Sequence, residues 1–298
     1  MSMCMKNEPR VLCIGNFDGV HKGHQALLRK ANELSPHVIV LTFDPHPKII
    51  FNPETAPFLI TTNVRKHDLL RQYGAREVTS WIFSLDLAAV PASVFLQEVI
   101  IKQIKPDHIM VGADFRFGKN RDGDAVLIES MSKKGRYETH VVDAINDDRD
   151  MRYSSSRVRE ALSRGDINHA TDILGHPFYI EEIVIEGDKR GREMGFPTAN
   201  QARSPYMILP SYGVYASYAY VDGVRHKACT NIGIRPMFEV KKPLVETHIL
   251  DFDGDLYGKN LRVEPVKKLR GEAKYDSLDA LVKQISIDCK TARELLTS

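Results

Sequence analysis

Two kinds of hydrophobic punctuation divide this chain, and a single sheet cannot accommodate both. Over the first half, apolar runs of strand length alternate with segments of helical period. "RVLCIGNF" and "HVIVLTFDP" read as buried strands bounded by turn residues. Between them, "HQALLRKANEL" places Ala26, Leu27, Ala31 and Leu34 near one helical face. "SVFLQEVIIKQI" reads as another amphipathic helix, and "DHIMVGADF" and "THVVDAI" as further strands. Strands separated by helices need crossover connections, hence a mainly parallel sheet. Such sheets hold ligands at the carboxyl ends of their strands, where the turn from Gly15 to His24 falls.

After "GHPFYI" the texture changes. "GVYASYAYVDGVRHKACTNIGI" gives two strand-like runs around Asp222-Gly223, a hairpin signal. "VETHILDFDGDLYGKNLRVEPV" offers two more strands, and "SLDALVKQISIDCKTARELL" closes the chain as a helix. "SSSRVREALSRGDINHATDILG", before the change, reads as one or two short helices opened by serine caps. The expectation is an α/β domain over residues 1–175 and a mainly antiparallel β domain with a terminal helix over 176–298.

A length of 298 residues favours two cores over one. With 41 basic and 39 acidic side chains, the net charge of +2 supports neither a nucleic-acid partner nor a membrane surface. No apolar run is long enough to span a bilayer, and the first fifteen residues lack a secretory pattern. Cys4, Cys13, Cys229 and Cys289 are scattered, without a CxxC pair, which points to a reducing compartment and a cytoplasmic location.

"GNFDGVHKGHQ" (15–25) sets two histidines three apart behind a glycine turn. Three readings compete: a metal pair on one helix face, a pair of satisfied core histidines, or a phosphate clamp. No third metal ligand stands nearby. Gly15 and Gly19 permit close backbone approach, and a helix starting near His21 points its free N–H groups at an anion. The phosphate reading fits best, with the two imidazoles donating to phosphoryl oxygens as charge develops.

Together with "LTFDPHP" (41–47), "VGADFRFGKNRDGD" (111–124) and "RYSSSRVREAL" (152–162), this segment resembles the nucleotidylyltransferase module of bacterial bifunctional riboflavin kinase/FAD synthetases. The resemblance covers essentially the whole chain. It implies a Rossmann-like first domain in which His21 and His24 contact ATP phosphates during adenylyl transfer to FMN. Gly15, Asp18, Gly19, Asp44, Asp114, Arg152, Ser155, Ser156 and Arg159 fall at ATP- or phosphate-binding positions. Ser156 stands where the family usually has threonine, which keeps the hydroxyl.

"EGDKRGREMGFPTAN" (186–200) resembles the riboflavin kinase signature. Its glycines permit tight turns, its basic residues bring charge to them, and Thr198 and Asn200 point the same way on an extended segment. The resemblance assigns Gly187, Lys189, Arg192 and Gly195 to ATP, and Thr198 and Asn200 to Mg²⁺. Neutral oxygens of this kind suit an ion that takes its other ligands from water and substrate phosphates. "VETHILDFDGDLYGK" (245–259) matches the segment with the carboxylate that takes the riboflavin hydroxyl proton, here Glu246. Arg270 falls near the flavin end. The implied barrel has six antiparallel strands. Riboflavin, FMN, FAD and ATP are the implied partners, and the implied state is a monomer or weak homo-oligomer.

Three residues depart from the family pattern: Met237 for threonine in "GIRPMFE", Glu182 for glycine before the Gly187 loop, and Gly271 for aspartate in "LRGE". They leave open a second reading, a flavin-binding or flavin-sensing paralogue lacking one activity. A related enzyme, such as a cytidylyltransferase, would share the histidine motif but not the PTAN half.

Overall fold

Each half folds as the hydrophobic pattern requires. The computed structural model describes residues 8–187, 190–202, 204–234 and 243–297. It divides into two compact units between Ser155 and Ser156.

The first unit runs β1 (Val11–Ile14), α1 (Lys22–Leu34), β2 (Val38–Asp44), α2 (Pro47–Phe51), α3 (Asn63–Gln72), β3 (Glu77–Ile82), α4 (Leu85–Ala88), α5 (Ala92–Val94), a π-helical stretch (Phe95–Ile104), β4 (His108–Gly112), α6 (Ala125–Gly135) and β5 (Glu138–Val142). The five strands pair in parallel in the order β3-β2-β1-β4-β5. β1 is central and wholly buried, so its four residues are all apolar. Alternation along the strands feeds two cores. Val11, Cys13, Val38 and Val40 meet Leu27 and Leu28 of α1 and Leu69 and Leu70 of α3. Leu12, Ile14, Ile39 and Leu41 face Phe95, Leu96 and Ile100 of the π-helical stretch and Ile128 of α6. The sheet is thus covered by helices on both faces.

Two details depart from expectation. Leu34 is exposed, whereas Leu28 is fully buried. The inward stripe of α1 runs Leu28, Ala31 and then Ser35 in steps of three and four, and it bypasses Leu34. Strand β3 carries no strong apolar signature, because it is the sheet edge and has no fully buried residue.

The second unit runs from α7 (Ser155–Arg164, whose first residue belongs to the first unit) through α8 (Ile167–Leu174), β6 (Ile180–Ile185), α9 (Arg190–Glu193), β7 (Ala199–Gln201), β8 (Gly213–Val221), β9 (Val224–Ile234), β10 (Pro243–Ile249), β11 (Asn260–Arg270) and α10 (Leu278–Leu295). Six antiparallel strands close a barrel in the order β10-β7-β6-β11-β8-β9. Asp222 and Gly223 take φ values of 50° and 82°, as a two-residue hairpin turn requires. Val184, Ala219, Ala228, Ile249, Leu261 and Val263 fill one part of the barrel core. α10 packs Cys289 and Ala292, together with Leu296 just after the helix, against Val214, Ala216 and Cys229.

Leu28 is 0% exposed at the α1–sheet contact. Leu28→Ala should destabilise the first unit by about 2–5 kcal/mol through lost transfer energy and a residual cavity, read as a lowered urea midpoint. An unchanged midpoint would mean that the cavity collapses.

Candidate active sites

In the first unit the strand order reverses between β1 and β4, and the chain leaves both strands there toward the crevice at their carboxyl ends. From β1 it enters the Gly15–His24 turn; from β4 it reaches Asp114. α1 begins at Lys22 with His21 as its N-cap, and the His21 side chain makes no capping hydrogen bond. The His21 and His24 rings stack 3.7 Å apart at 23°, and Phe17 packs edge-on to His24 with ring centres 5.0 Å apart. Burial, then the neighbouring His21 and Arg152, hold the His24 imidazole well below its ordinary value. His24 is therefore neutral near pH 7. Its buried Nδ1 has no hydrogen-bond partner among the described residues. An orphan of this kind fits a site completed by a ligand better than a satisfied core pair.

Other expected residues divide between framework and open site. Asp18 is buried, and its Oδ1 accepts from the backbone N–H groups of Ile60 (2.9 Å) and Thr61 (3.2 Å). Gly19 donates its N–H to Thr61 Oγ1 at 3.1 Å. These bonds pin the turn. Ser155 Oγ donates to the Asp18 carbonyl at 2.8 Å, a bond within the first unit that holds Ser155 against the same turn. Arg152 Nη2 donates to Asp114 Oδ2 at 2.6 Å, and both side chains remain about half exposed. Gly15 directly follows β1, and Asp44 ends β2 in an exposed position. Ser156 and Arg159 follow Ser155 in α7. Sequence reasoning missed Lys66. It is buried on α3, donates from Nζ to the Phe43 carbonyl at 3.3 Å, and feels the Asp18 and Asp44 carboxylates. Burial lowers its ammonium pKa and the two carboxylates oppose that shift. Nothing in "NVRKHDLL" distinguishes it from a solvated helix lysine.

In the second unit, barrel register sets the chemistry in a line. Asn200 on β7 stands opposite Glu246 on β10, and Glu246 stands opposite Asn231 on β9. Asn231 pairs with Val214 on β8, and Val214 with Arg270 on β11. All five residues line one cavity of about 730 Å³, as do Gly187, Arg192 and Thr198. Asn231 Nδ2 donates to Glu246 Oε2 at 3.5 Å, a long contact. Pairing is irregular between Lys268 and Arg270 at the end of β11, and Asp288 of α10 grips Arg270. Arg270 Nε donates to Asp288 Oδ2 at 2.9 Å, and Nη2 to the same oxygen at 2.8 Å. Gln284 Nε2 supports Asp288 Oδ1 at 2.9 Å. Neither Asn231 nor Asp288 carried a sequence signal, because each acquires its role from a strand or helix distant in sequence.

A Cβ on Gly187 would clash with the Asn200 carboxamide, so a larger residue there would have to push that side chain aside. The Thr198 hydroxyl and Asn200 carboxamide offer neutral oxygens two residues apart, with the Glu246 carboxylate opposite Asn200. That donor set fits a hard, oxygen-seeking cation such as Mg²⁺. Gly195 lies in the turn after α9 at φ 82° and does not line the cavity. Glu182 sits in β6, where its Oε1 accepts from the Ser204 N–H at 3.4 Å, and Gly271 is exposed just beyond β11. Lys189 and Met237 lie outside the described residues.

The low His24 value has a consequence for stability. Below about pH 6.5, the ordinary histidine value, the unfolded chain binds a proton that folded His24 refuses, so stability falls as pH drops. His24→Gln should show a smaller loss of Tm than the parent between about pH 7.5 and about pH 5.5. Equal losses would show that His24 is not held neutral.

Comparison with known proteins agrees with this division. Residues 4–157 match the family model described as FAD synthetase, and residues 174–296 match the one described as riboflavin kinase. The bifunctional riboflavin kinase/FMN adenylyltransferase of Escherichia coli K12 is 37% identical over 291 residues, covering 95% of this chain and 92% of that protein. The Bacillus subtilis protein of the same name is 34% identical over 290 residues, covering 95% and 91%. A crystal structure described as a macrolide-efflux protein from Streptococcus pneumoniae superposes with a TM-score of 0.85 at 30% identity, covering 98% of this chain and 96% of that one. No helix among the described residues is long and apolar enough to cross a membrane. With both halves matched in order and relatives aligned nearly end to end, the chain belongs to the bifunctional riboflavin kinase/FMN adenylyltransferase family.

Proposed function

We propose that this chain makes FAD in two steps, phosphorylating riboflavin within residues 176–298 and adenylylating the resulting FMN within residues 1–175. The observation that carries the reading is the line Asn200–Glu246–Asn231–Arg270 along one cavity, in a chain whose other half matches FAD synthetase.

In the first reaction Glu246 accepts the proton of riboflavin's terminal ribityl hydroxyl. The freed oxygen attacks the γ-phosphorus of ATP, the bond to the β-phosphate oxygen breaks, and ADP leaves with FMN formed. Thr198 and Asn200 would hold Mg²⁺, which neutralises phosphate charge when bound. Gly187 and Arg192, with Lys189 from the same signature, cradle the ATP phosphates, and Gly195 shapes the turn that closes the loop. Arg270, aimed by Asp288, orients the flavin. In the second reaction an FMN phosphate oxygen attacks the α-phosphorus of a second ATP, and pyrophosphate leaves. Neutral His24 and its partner His21 donate to oxygens of the reacting phosphoryl group as charge builds, and the α1 N-terminus adds its dipole. Gly15 and Gly19 admit the phosphates. Asp18 acts through the backbone it holds. Arg152, Ser155, Ser156 and Arg159 bind phosphate, and Asp44 and Asp114 complete the ATP site.

A reducing, cytoplasmic setting accords with Cys13, Cys229 and Cys289 as free thiols. The sensing alternative is not favoured, since Glu182 and Gly271 leave the cavity residues in place.

Glu246→Gln should lower FMN formation by about a hundredfold or more yet leave FAD formation from supplied FMN unchanged. His24→Ala should do the reverse, by about a hundredfold. Chromatography of products from riboflavin, ATP and Mg²⁺ reads both variants, and undiminished kinase activity in the first would remove Glu246 as the base. Gly187→Ala, which pushes Asn200 aside, should lower kinase kcat/KM on the order of a hundredfold with adenylylation intact. A wild-type rate would show that Asn200 can move without cost.

A further inference from the structure

At the other end of the parallel sheet, where β4 and β5 begin, lies a cluster unrelated to flavin or ATP. His108 opens β4 and Glu138 opens β5 directly opposite it. His140, two residues further along β5, lies on the same face as Glu138 and is paired in register with Met110. His108 Nδ1 is 3.1 Å from His140 Nε2, and Glu138 Oε2 is 3.5 Å from the first nitrogen and 3.9 Å from the second.

Hydrogen bonding explains only part of this triangle. The imidazole pair shares one bond, but both carboxylate distances are too long for good ones. A tetrahedral ion with ligand bonds of about 2.1 Å holds its ligands about 3.4 Å apart. The three separations bracket that value, so side-chain movements of tenths of an ångström admit an ion. The histidines are about a quarter exposed and Glu138 mostly exposed, which leaves a solvent-facing fourth position for water. All three ligands stand on paired strands whose backbones are already fixed. Two imidazoles and one carboxylate favour a first-row divalent ion over Mg²⁺, which prefers an all-oxygen shell.

We propose that His108, Glu138 and His140 form a site for a divalent transition-metal ion of the Zn²⁺ type, which clips the edge strand β5 to β4. The cluster shares no residue with either candidate reaction site, so its occupancy acts on stability rather than on chemistry.

The test titrates the metal-free full-length protein with Zn²⁺ by calorimetry in excess Mg²⁺. The expected result is one equivalent bound, with affinity reduced at least about tenfold in His108→Gln and His140→Gln. A Zn²⁺-dependent rise in Tm should appear in the parent and vanish in these variants, while both activities at saturating Mg²⁺ stay unchanged. Glu138→Gln, on a mostly exposed side chain, keeps the test open should a histidine variant misfold, and it too should weaken binding. Co²⁺ in place of Zn²⁺ should give a visible spectrum of nitrogen and oxygen ligation that the variants lose. No binding, equal binding by parent and variants, or thiolate charge-transfer bands would each overturn the site.

Discussion

Backbone register governs both halves of this protein. Side chains alternate across a strand, so slipping one strand by a single residue would carry its whole functional face to the opposite side. In the barrel, Glu246 meets Asn200 on one side and Asn231 on the other only because β10 pairs in that register with β7 and β9. In the parallel sheet, pairing of β1 with β4 brings the Gly15–His24 turn and Asp114 to the same end of adjacent strands. These candidate site residues come from segments far apart in sequence, and hydrogen-bonded ladders rather than side-chain contacts align them. Rigid strands therefore set the positions, and the loops between them supply adaptable backbone.

Electrostatics is arranged differently in the two units. Around His24 the surroundings suppress charge: burial, a stacked imidazole and a nearby guanidinium keep the ring neutral. A neutral imidazole donates a hydrogen bond without the cost of burying a cation, and the positive character comes from Arg152 and the helix end. Around Arg270 charge is retained and paired. The largely buried Asp288 carboxylate takes the guanidinium fork, and Gln284 fixes the carboxylate in turn. Such a pair is expensive to desolvate, and its use is positional: it aims one planar group along the cavity wall.

Much of this was legible from local pattern. Contiguous apolar runs marked β1 and β2, Asp222-Gly223 marked the β8–β9 hairpin, and Thr198, Asn200 and Glu246 were singled out by motif and line one cavity. These signals are short-range, since turn chemistry and burial periodicity act over a few residues. Edge strand β3 escaped because a strand without a buried face carries too little periodicity. Lys66, Asn231 and Asp288 escaped for another reason. Nothing in their own neighbourhoods differs from a solvated lysine, a strand asparagine or a helix aspartate.

By itself, the sequence determined the two fold types and the order of the halves, and it nominated the groups proposed to handle phosphate, because each is encoded in runs of adjacent residues. Tertiary structure alone decided which of those groups work together. It turned Asp18 from a candidate ligand position into a backbone anchor, gave Arg270 its carboxylate, and aligned Glu246 between two asparagines. It also gathered His108, Glu138 and His140 at the start of two parallel strands. Such partnerships depend on strand order and register, which arise when separate segments bury their apolar faces together.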